Sequence, residues 1–155
     1  MIKPILTNES VEHLEIINSA VERTDDLTVL QAAANDLIET AESVADRCAG
    51  LSANQIGLNC HIFVVKTAEG YVPIANAKVI MASGKKSDFE GCLSRPNDDP
   101  IVARRSKEIV IEYLDIYDGE RKRLMLNGFS ARVVQHELMH LNGRANYKLS
   151  KTVKL

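Results

Sequence analysis

Hydrophobic residues recur at a helical spacing directly after Asp25 and Asp26. Aspartate is a favourable N-cap because its carboxylate accepts free backbone N–H groups in the first turn of a helix. The positions that share the spacing are Leu27, Leu30, Ala34, Leu37, Ile38, Ala41, Val44, Ala45 and Cys48. They predict an amphipathic helix over residues 26–48 that buries one stripe of side chains and ends near Gly50.

The middle of the chain has short runs of β-branched and aromatic residues separated by turn residues. Residues 61–66 and 71–80 are two such strand-like runs. Residues 108–117 and 120–126 are two more, and they flank Asp118-Gly119. An Asp-Gly pair between two strands predicts a hairpin with a two-residue turn.

Other segments break this strand pattern. Pro73 interrupts the second strand-like run. The polar residues 83–88 separate this run from residues 90–100, whose prolines and aspartates predict a loop. A second helical pattern lies between Gly128 and Gly143. One helix before the strands and one after them indicate the α+β class.

Composition and charge narrow the class of protein. Without an internal repeat or low-complexity segment, the sequence predicts a single domain over residues 1–155. A net charge of −2 and 5% aromatic residues do not fit a strongly basic or base-stacking nucleic-acid binder, so we expect no DNA partner. No apolar stretch reaches about 18 residues, so we expect no membrane span. Three cysteines and no recognisable secretory leader favour the reducing cytosol.

The most specific chemical motif is H-E-x-x-H at residues 136–140, inside the second predicted helix. His136 and His140 are four residues apart, so they lie on one helix face and can reach a single metal ion. Glu137 stands beside them, where a general base is needed. Catalytic metal sites usually have three protein ligands and one open position, so one ligand has to come from elsewhere.

Cys92 is a candidate for that third ligand. It lies in a predicted loop beside Gly91, which allows close backbone approach, and a thiolate is a good ligand for such a metal. A lone cysteine is more often a small buried hydrophobic residue, so its position alone leaves both interpretations open. Cys48 and Cys60 have no comparable setting.

The chain resembles the peptide deformylase family in three motifs that occur in a fixed order. The first is a glycine-containing run that ends in glutamine, present as C-A-G-L-S-A-N-Q at residues 48–55. The second, E-G-C-L-S, is complete at residues 90–94, and the third, Q-H-E-x-x-H-L-x-G, is complete at residues 135–143. The combination of three motifs favours Cys92 as a metal ligand.

This resemblance implies a fold and an activity. The fold would be α+β, with antiparallel or mixed β-sheets around a central metal-binding helix and an N-terminal helix. The activity would be that of a hydrolase in protein biosynthesis: metal-dependent removal of the N-formyl group from the N-terminal formyl-methionine of nascent polypeptides, with release of formate. We expect a monomer in the cytoplasm of a bacterium, or of an infected host cell if the gene is phage-encoded.

The resemblance also implies roles for individual residues. The metal ligands would be Cys92, His136 and His140. They would hold one divalent ion, ferrous iron first, with nickel, cobalt or zinc able to replace it. Glu137 would transfer the proton, and the Gln55 side-chain amide and the Leu93 backbone N–H would stabilise the oxyanion.

The substrate would be an N-formylmethionyl peptide in an extended pose. Backbone groups of Ala49, Gly50 and Gly91 would bind the peptide, by analogy with the family. Phe129 and Val133 lie on the helix face of His136 and could form the apolar wall for the methionine side chain, although core packing is the alternative for both.

The sequence departs from the family motifs at three positions. Cys48 and Ser52 stand where a glycine and an alanine are usual, both small changes that should leave Gln55 undisturbed. Met139 replaces an aspartate and accepts hydrogen bonds only weakly, so Arg104 or Arg105 should face a different partner. We expect altered activity or stability, with the ligand set intact.

The segment after the last motif is short and basic. Its basic residues are Arg144, Lys148, Lys151 and Lys154. They could contact ribosomal RNA near the exit tunnel, or they could form a solvated terminus.

Two alternative functions remain at this point. A zincin-type metallopeptidase needs a further histidine or acidic ligand downstream, but residues 141–155 contain no His, Glu or Asp. A non-catalytic descendant would bind metal and peptide N-termini without cleavage, and it would have no use for both Gln55 and Glu137.

Overall fold

Ten helices and strands follow one another in a computed structural model that describes residues 1–153. They are α1 (Val11–Ile17), α2 (Leu27–Ser43), β1 (Gly50–Ser52), β2 (Ile62–Thr67), β3 (Gly70–Ser83), β4 (Lys86–Glu90), β5 (Ile101–Arg105), β6 (Glu108–Leu114), β7 (Arg121–Asn127) and α3 (Gly128–Leu141). Five strands form one antiparallel sheet in the order β1-β2-β3-β6-β7, and β4 pairs with β5 in a separate antiparallel ribbon. The predicted α+β class with antiparallel sheets is confirmed.

Helix α2 begins where the sequence predicts, because the Asp26 carboxylate accepts two backbone N–H groups of the first turn. It ends at Ser43, so the prediction of a helix up to residue 48 is wrong at this end. The backbone beyond α2 bonds to strands instead: the Cys48 carbonyl accepts the Tyr71 hydroxyl at 2.6 Å.

Strand β3 passes through Pro73 without the predicted interruption. Pro73 lies opposite Val64 of β2, whereas β6 pairs with β3 only from Ala75 onward. The proline therefore borders an unpaired edge, where a missing N–H costs little.

Strands β6 and β7 form the predicted hairpin, but the two-residue turn is wrong. The connection covers residues 115–120, and Asp118-Gly119 lies inside it. Ile116 is 1% exposed, because its side chain packs in the hydrophobic core beneath this loop.

Three parts of the fold have no counterpart in the sequence pattern: α1, β1 and the β4–β5 ribbon. The ribbon contains residues 86–88, half of the polar stretch 83–88 that was not expected to form a strand, while residues 91–100 are irregular as predicted. Phe89 and Val102 of the ribbon are exposed. With little apolar surface buried, the ribbon lacks the alternation that marks a half-buried strand.

The core lies where α2 and α3 pack on the five-stranded sheet. Its fully buried side chains include Leu30, Leu37, Leu51, Ile62, Phe63, Ile74, Ile109, Ile111 and Leu141. Helix α3 contacts β1 and β2, which places the H-E-x-x-H motif beside the edge strand of the sheet. Within residues 1–153, no helix is long and apolar enough to cross a membrane.

Candidate metal centre and active site

Helix α3 carries the H-E-x-x-H motif on its inner face. His136 and His140 are one turn apart, and their Nε2 atoms are separated by 3.2 Å. His140 is fully buried, and Glu137 is 4% exposed. The predicted helix therefore brings the two imidazoles to one point.

Cys92 adds a sulfur to this point from the chain that follows β4. Its Sγ lies 3.4 Å from His140 Nε2. The ligand atoms of Cys92, His136 and His140 all lie within 4.8 Å of one another. Ligands at about 2.0–2.3 Å from a tetrahedral ion are about 3.3–3.8 Å apart. The distances of His140 Nε2 to His136 Nε2, 3.2 Å, and to Cys92 Sγ, 3.4 Å, are close to this range, so the three donors suit one metal ion.

Glu90 fixes the orientation of His136. Its Oε1 lies 2.8 Å from His136 Nδ1, which leaves Nε2 free to bind a metal. Arg105 donates to both carboxylate oxygens, and Arg132 donates to Oε2 at 2.7 Å. Burial alone would raise the pKa of Glu90, but the hydrogen bonds of His136 and Arg105 lower it well below its usual value. This lowered pKa favours the ionised form of Glu90 at neutral pH.

The surroundings of Cys92 and His136 shift the pKa values of the two side chains in opposite directions. Burial alone would raise the pKa of the Cys92 thiol, but the His140 and His136 imidazoles lower it well below its ordinary value. Burial opposes a charged His136, yet hydrogen bonds with Cys92 and Glu90 raise its pKa to about 10. Cys92 is thus a thiolate, the form that binds metals.

The surroundings of the Glu137 carboxyl suit a group that accepts and donates a proton. Burial raises the pKa of its carboxyl above the ordinary value, although His136 and His140 oppose this effect. Its Oε1 accepts the Ser52 hydroxyl at 2.8 Å. A carboxyl whose pKa is raised toward neutrality is suited to accept a proton and return it.

Gln55 reaches the cluster from a short 3-10 turn, Ala53–Ile56, that follows β1. Its Oε1 accepts the Ser52 N–H at 2.9 Å, and its Nε2 lies 3.1 Å from Ser94 Oγ and 3.5 Å from Cys92 Sγ. One amide N–H can therefore bond to Ser94 while the other faces the cluster. Leu93 lies between Cys92 and Ser94, half-buried against the core.

A cleft of about 900 Å³ opens onto the cluster. The five residues predicted to bind substrate all line it: Ala49, Gly50, Gly91, Phe129 and Val133. Phe129 is 71% exposed and is therefore not a core residue, whereas Val133 is half-buried. The Ala49 carbonyl already accepts the Lys66 N–H at 2.9 Å. Because bonded pairs alternate in an antiparallel ladder, the backbone groups of Gly50 point away from β2, outward from the sheet edge.

Three further residues contribute to the site: Glu90, Ser52 and Tyr147. Glu90 and Ser52 belong to the motifs, but their partners are set by the tertiary fold. The general rule that a carboxylate orients a ligand histidine could have singled out Glu90 beside Cys92. Tyr147, 5% exposed, packs its ring edge-on against His140 with centroids 5.4 Å apart, and nothing in the sequence marks it.

Comparison with known proteins gives consistent matches. The sequence matches the family model described as polypeptide deformylase over residues 2–154. A peptide deformylase of Dictyoglomus thermophilum is 38% identical over 110 residues, covering 71% of this chain and 69% of the relative. One of Clostridium beijerinckii is 32% identical, covering 92% of this chain and 98% of the relative. The crystal structure of a peptide deformylase from Legionella pneumophila has a TM-score of 0.77 and 30% identity, covering 93% of this chain and 83% of that chain.

A Cys-His-His cluster beside a buried glutamate at the end of a cleft is typical of a metal-dependent hydrolase. The chain belongs to the polypeptide deformylase family. This family is metal-dependent and removes the N-formyl group from formylmethionyl peptides. The zincin-type metallopeptidase is therefore set aside as an alternative.

Proposed function

We propose that this chain, acting as one domain, hydrolyses formylmethionyl peptides to formate and free N-terminal methionine at the Cys92, His136 and His140 cluster. The observation that carries the proposal is the convergence of donor atoms within 4.8 Å of one another beside Glu137 and Gln55, which line the same cleft. Neither Glu137 nor Gln55 is needed to hold a metal. Their presence favours an enzyme over a protein that only captures peptide N-termini.

The cluster would hold one divalent metal ion, with ferrous iron as the native ion and nickel, cobalt or zinc as substitutes. One thiolate and two imidazoles are donors that these ions share. When bound, such an ion polarises the formyl carbonyl and lowers the pKa of a water molecule. A thiolate site of this kind is sensitive to oxidation, so anaerobic purification should preserve activity.

Glu137 would carry the proton between the two halves of the reaction. It takes a proton from the attacking water as the oxygen bonds to the formyl carbon, and it delivers the proton to the nitrogen as the C–N bond breaks. Its raised pKa and its burial support this role.

Gln55 and Leu93 would stabilise the negative charge that develops on the formyl oxygen. Gln55 Nε2 has one N–H that Ser94 does not occupy. The Leu93 backbone N–H follows Cys92 directly in the chain. A donor of this type contributes about 2.7–4 kcal/mol to the stability of the reacting state.

The peptide would bind as an added strand along the edge that β1 leaves open. Gly50 offers its outward backbone groups, and Ala49 and Gly91 flank it in the cleft. Val133 and Phe129 would contact the methionine side chain, as their positions in the cleft wall support.

We also propose that the enzyme is a cytoplasmic monomer that meets its substrates at the ribosome. Arg144, Lys148 and Lys151 are exposed beyond α3, which supports contact with ribosomal RNA, while Lys154 lies outside the described residues. Co-sedimentation with ribosomes should weaken as salt rises and should be lost when the three are changed to glutamate. A solvated terminus would give no co-sedimentation at any salt concentration.

The deciding experiment measures formate release from a short formyl-Met peptide by anaerobically purified protein loaded with iron or nickel. Glu137→Gln should bind metal and peptide but release formate at least 100-fold more slowly. Cys92→Ala should lose the metal. A metal-loaded wild type that binds the peptide without releasing formate would identify the non-catalytic descendant instead.

A further inference from the structure

Ser52, the last residue of β1, contacts both side chains to which the proposed chemistry assigns direct roles. It is fully buried. Its hydroxyl lies 2.8 Å from Glu137 Oε1 and 3.0 Å from the Glu137 carbonyl oxygen. Its backbone N–H donates to Gln55 Oε1 at 2.9 Å. One residue therefore connects a side chain of α3 with a side chain of the turn after β1.

The Ser52 hydroxyl has one proton and so donates to one of the two Glu137 oxygens. The contact with the carboxylate is the shorter one, and a hydrogen bond to an anion is stronger than one to a carbonyl. Within residues 1–153, this hydroxyl is the hydrogen-bond donor that reaches the Glu137 carboxylate.

Gly50 restricts the second oxygen of the carboxylate. A Cβ at Gly50 would lie 2.8 Å from Glu137 Oε2, so Oε2 lies directly against the Gly50 backbone. Gly50 and Glu137 both line the cleft. With Oε1 bonded to Ser52 and Oε2 beside Gly50, the carboxylate has one defined orientation toward the substrate.

We propose that Ser52 is a positioning residue for the reaction. Its hydroxyl holds the Glu137 carboxylate with Oε2 at the cleft, and its backbone N–H holds the Gln55 amide with an N–H toward the formyl oxygen. This inference rests on the proposed function of Glu137 and Gln55. An alanine is usual at this position of the family motif, so the hydroxyl is a departure that this chain adds to it.

Ser52→Ala tests the hydroxyl alone, because the backbone N–H that holds Gln55 remains. In nickel-loaded protein we expect kcat to fall about tenfold with KM within about twofold of the wild type, since orientation matters most in the reacting state. Ser150→Ala is the matched control. Ser150 is 2% exposed, and its hydroxyl also donates to a carboxylate, Asp98 Oδ1, at 3.0 Å. The kcat of the Ser150→Ala variant should equal that of the wild type.

A second measurement uses metal-free protein and no substrate. Ser52→Ala leaves the buried Glu137 carboxylate without its donor, so the folding equilibrium constant measured in urea should fall about tenfold. In a Glu137→Ala background, Ser52→Ala should lower the folding equilibrium constant less than about threefold, because the contact between the two side chains is already absent.

An unchanged kcat in Ser52→Ala, or an equal loss of stability in both backgrounds, would overturn the proposal, because the hydroxyl would then serve only the Glu137 carbonyl. If Ser52→Ala does not fold, the double variant with Glu137→Ala decides: recovered folding supports the contact, and continued failure contradicts it. A wild type that releases no formate would instead overturn the proposed function, while the metal-free coupling would still test the contact.

Discussion

Arg105 forms a two-point ion pair with Glu90, with N–O distances of 3.0 and 2.8 Å. One of its nitrogens also lies 3.4 Å from the sulfur of Met139. The prediction that an arginine near Met139 would face a different partner therefore concerns Arg105, while Arg104 is exposed on β5. In this chain, the carboxylate that orients His136 also pairs with the arginine that lies beside Met139.

Glu90→Gln should weaken both metal binding and folding. The change removes the charge that pairs with Arg105 and Arg132 and the acceptor that orients His136. We expect metal affinity to fall about 10–100-fold in a chelator competition assay. We expect the free energy of unfolding to fall by up to about 3 kcal/mol, because two partly buried guanidinium groups lose their anion.

Glu112→Gln is the control for this change, because Glu112 pairs with Arg121 and Arg123 on exposed strands. Water replaces such contacts easily, so metal affinity should be unchanged and stability nearly so. Equal losses in the two variants would show that Glu90 has no special connection to His136.

Met139→Asp should be tolerated and should stabilise the protein. Arg105 and Arg132 carry two positive charges against the single charge of Glu90, and Met139 contacts one of these arginines. A carboxylate there would balance the charge and raise the free energy of unfolding by up to about 1 kcal/mol at pH 7. Met139→Asn, of similar size but uncharged, should give no gain. Loss of the bound metal in Met139→Asp would contradict the expectation that the ligand set is independent of this position.

Gly50→Ala should abolish activity, because an added Cβ would meet Glu137 Oε2 at 2.8 Å and Val133 Cγ1 at 3.0 Å. Overpacking of this kind costs about 1–3 kcal/mol and would displace the carboxylate. Gly91→Ala is the comparison within the same cleft, since a Cβ there meets nothing within 4 Å. Its thermal unfolding should match that of the wild type. Equal destabilisation of the two variants would show that Gly50 is not closely packed.

The elements that could be predicted from the sequence are those whose period is set by one buried face. The stripe on α2 and the H-E-x-x-H helix α3 are of this type, and so are the strands β2, β3, β6 and β7. The β4–β5 ribbon exposes Phe89 and Val102 and buries too little to impose a period. Strand β1 is three residues long and is defined by its pairing with β2, which a local pattern does not contain.

The same distinction applies to the site. His136, Glu137 and His140 follow from helical spacing alone. The setting of Cys92 beside Gly91 left two interpretations open, and the resemblance in motifs was needed to favour Cys92 as a ligand and to assign Gln55. Both residues are distant from α3 in the sequence, and only the fold brings them to this helix. The Ser52 hydroxyl contact with Glu137 spans 85 positions of the chain, so it could be found only in the structure.

Cys48 should make stability depend on alkaline pH. Burial raises the pKa of its thiol to about 11, above about 8.5 in an unfolded chain. A pKa that is higher in the folded state contributes stability that is complete below about pH 8.5 and is lost as the pH rises through 11, because the unfolded chain loses its proton first. We expect urea unfolding to show this difference. Between pH 8 and pH 10.5, the free energy of unfolding of the wild type should fall on the order of 1 kcal/mol more than that of Cys48→Ala. Iodoacetamide at pH 8 should leave Cys48 unmodified until the protein unfolds. A stability difference that is constant across this range, with rapid alkylation of native Cys48, would mean that the thiol is open to water and titrates normally.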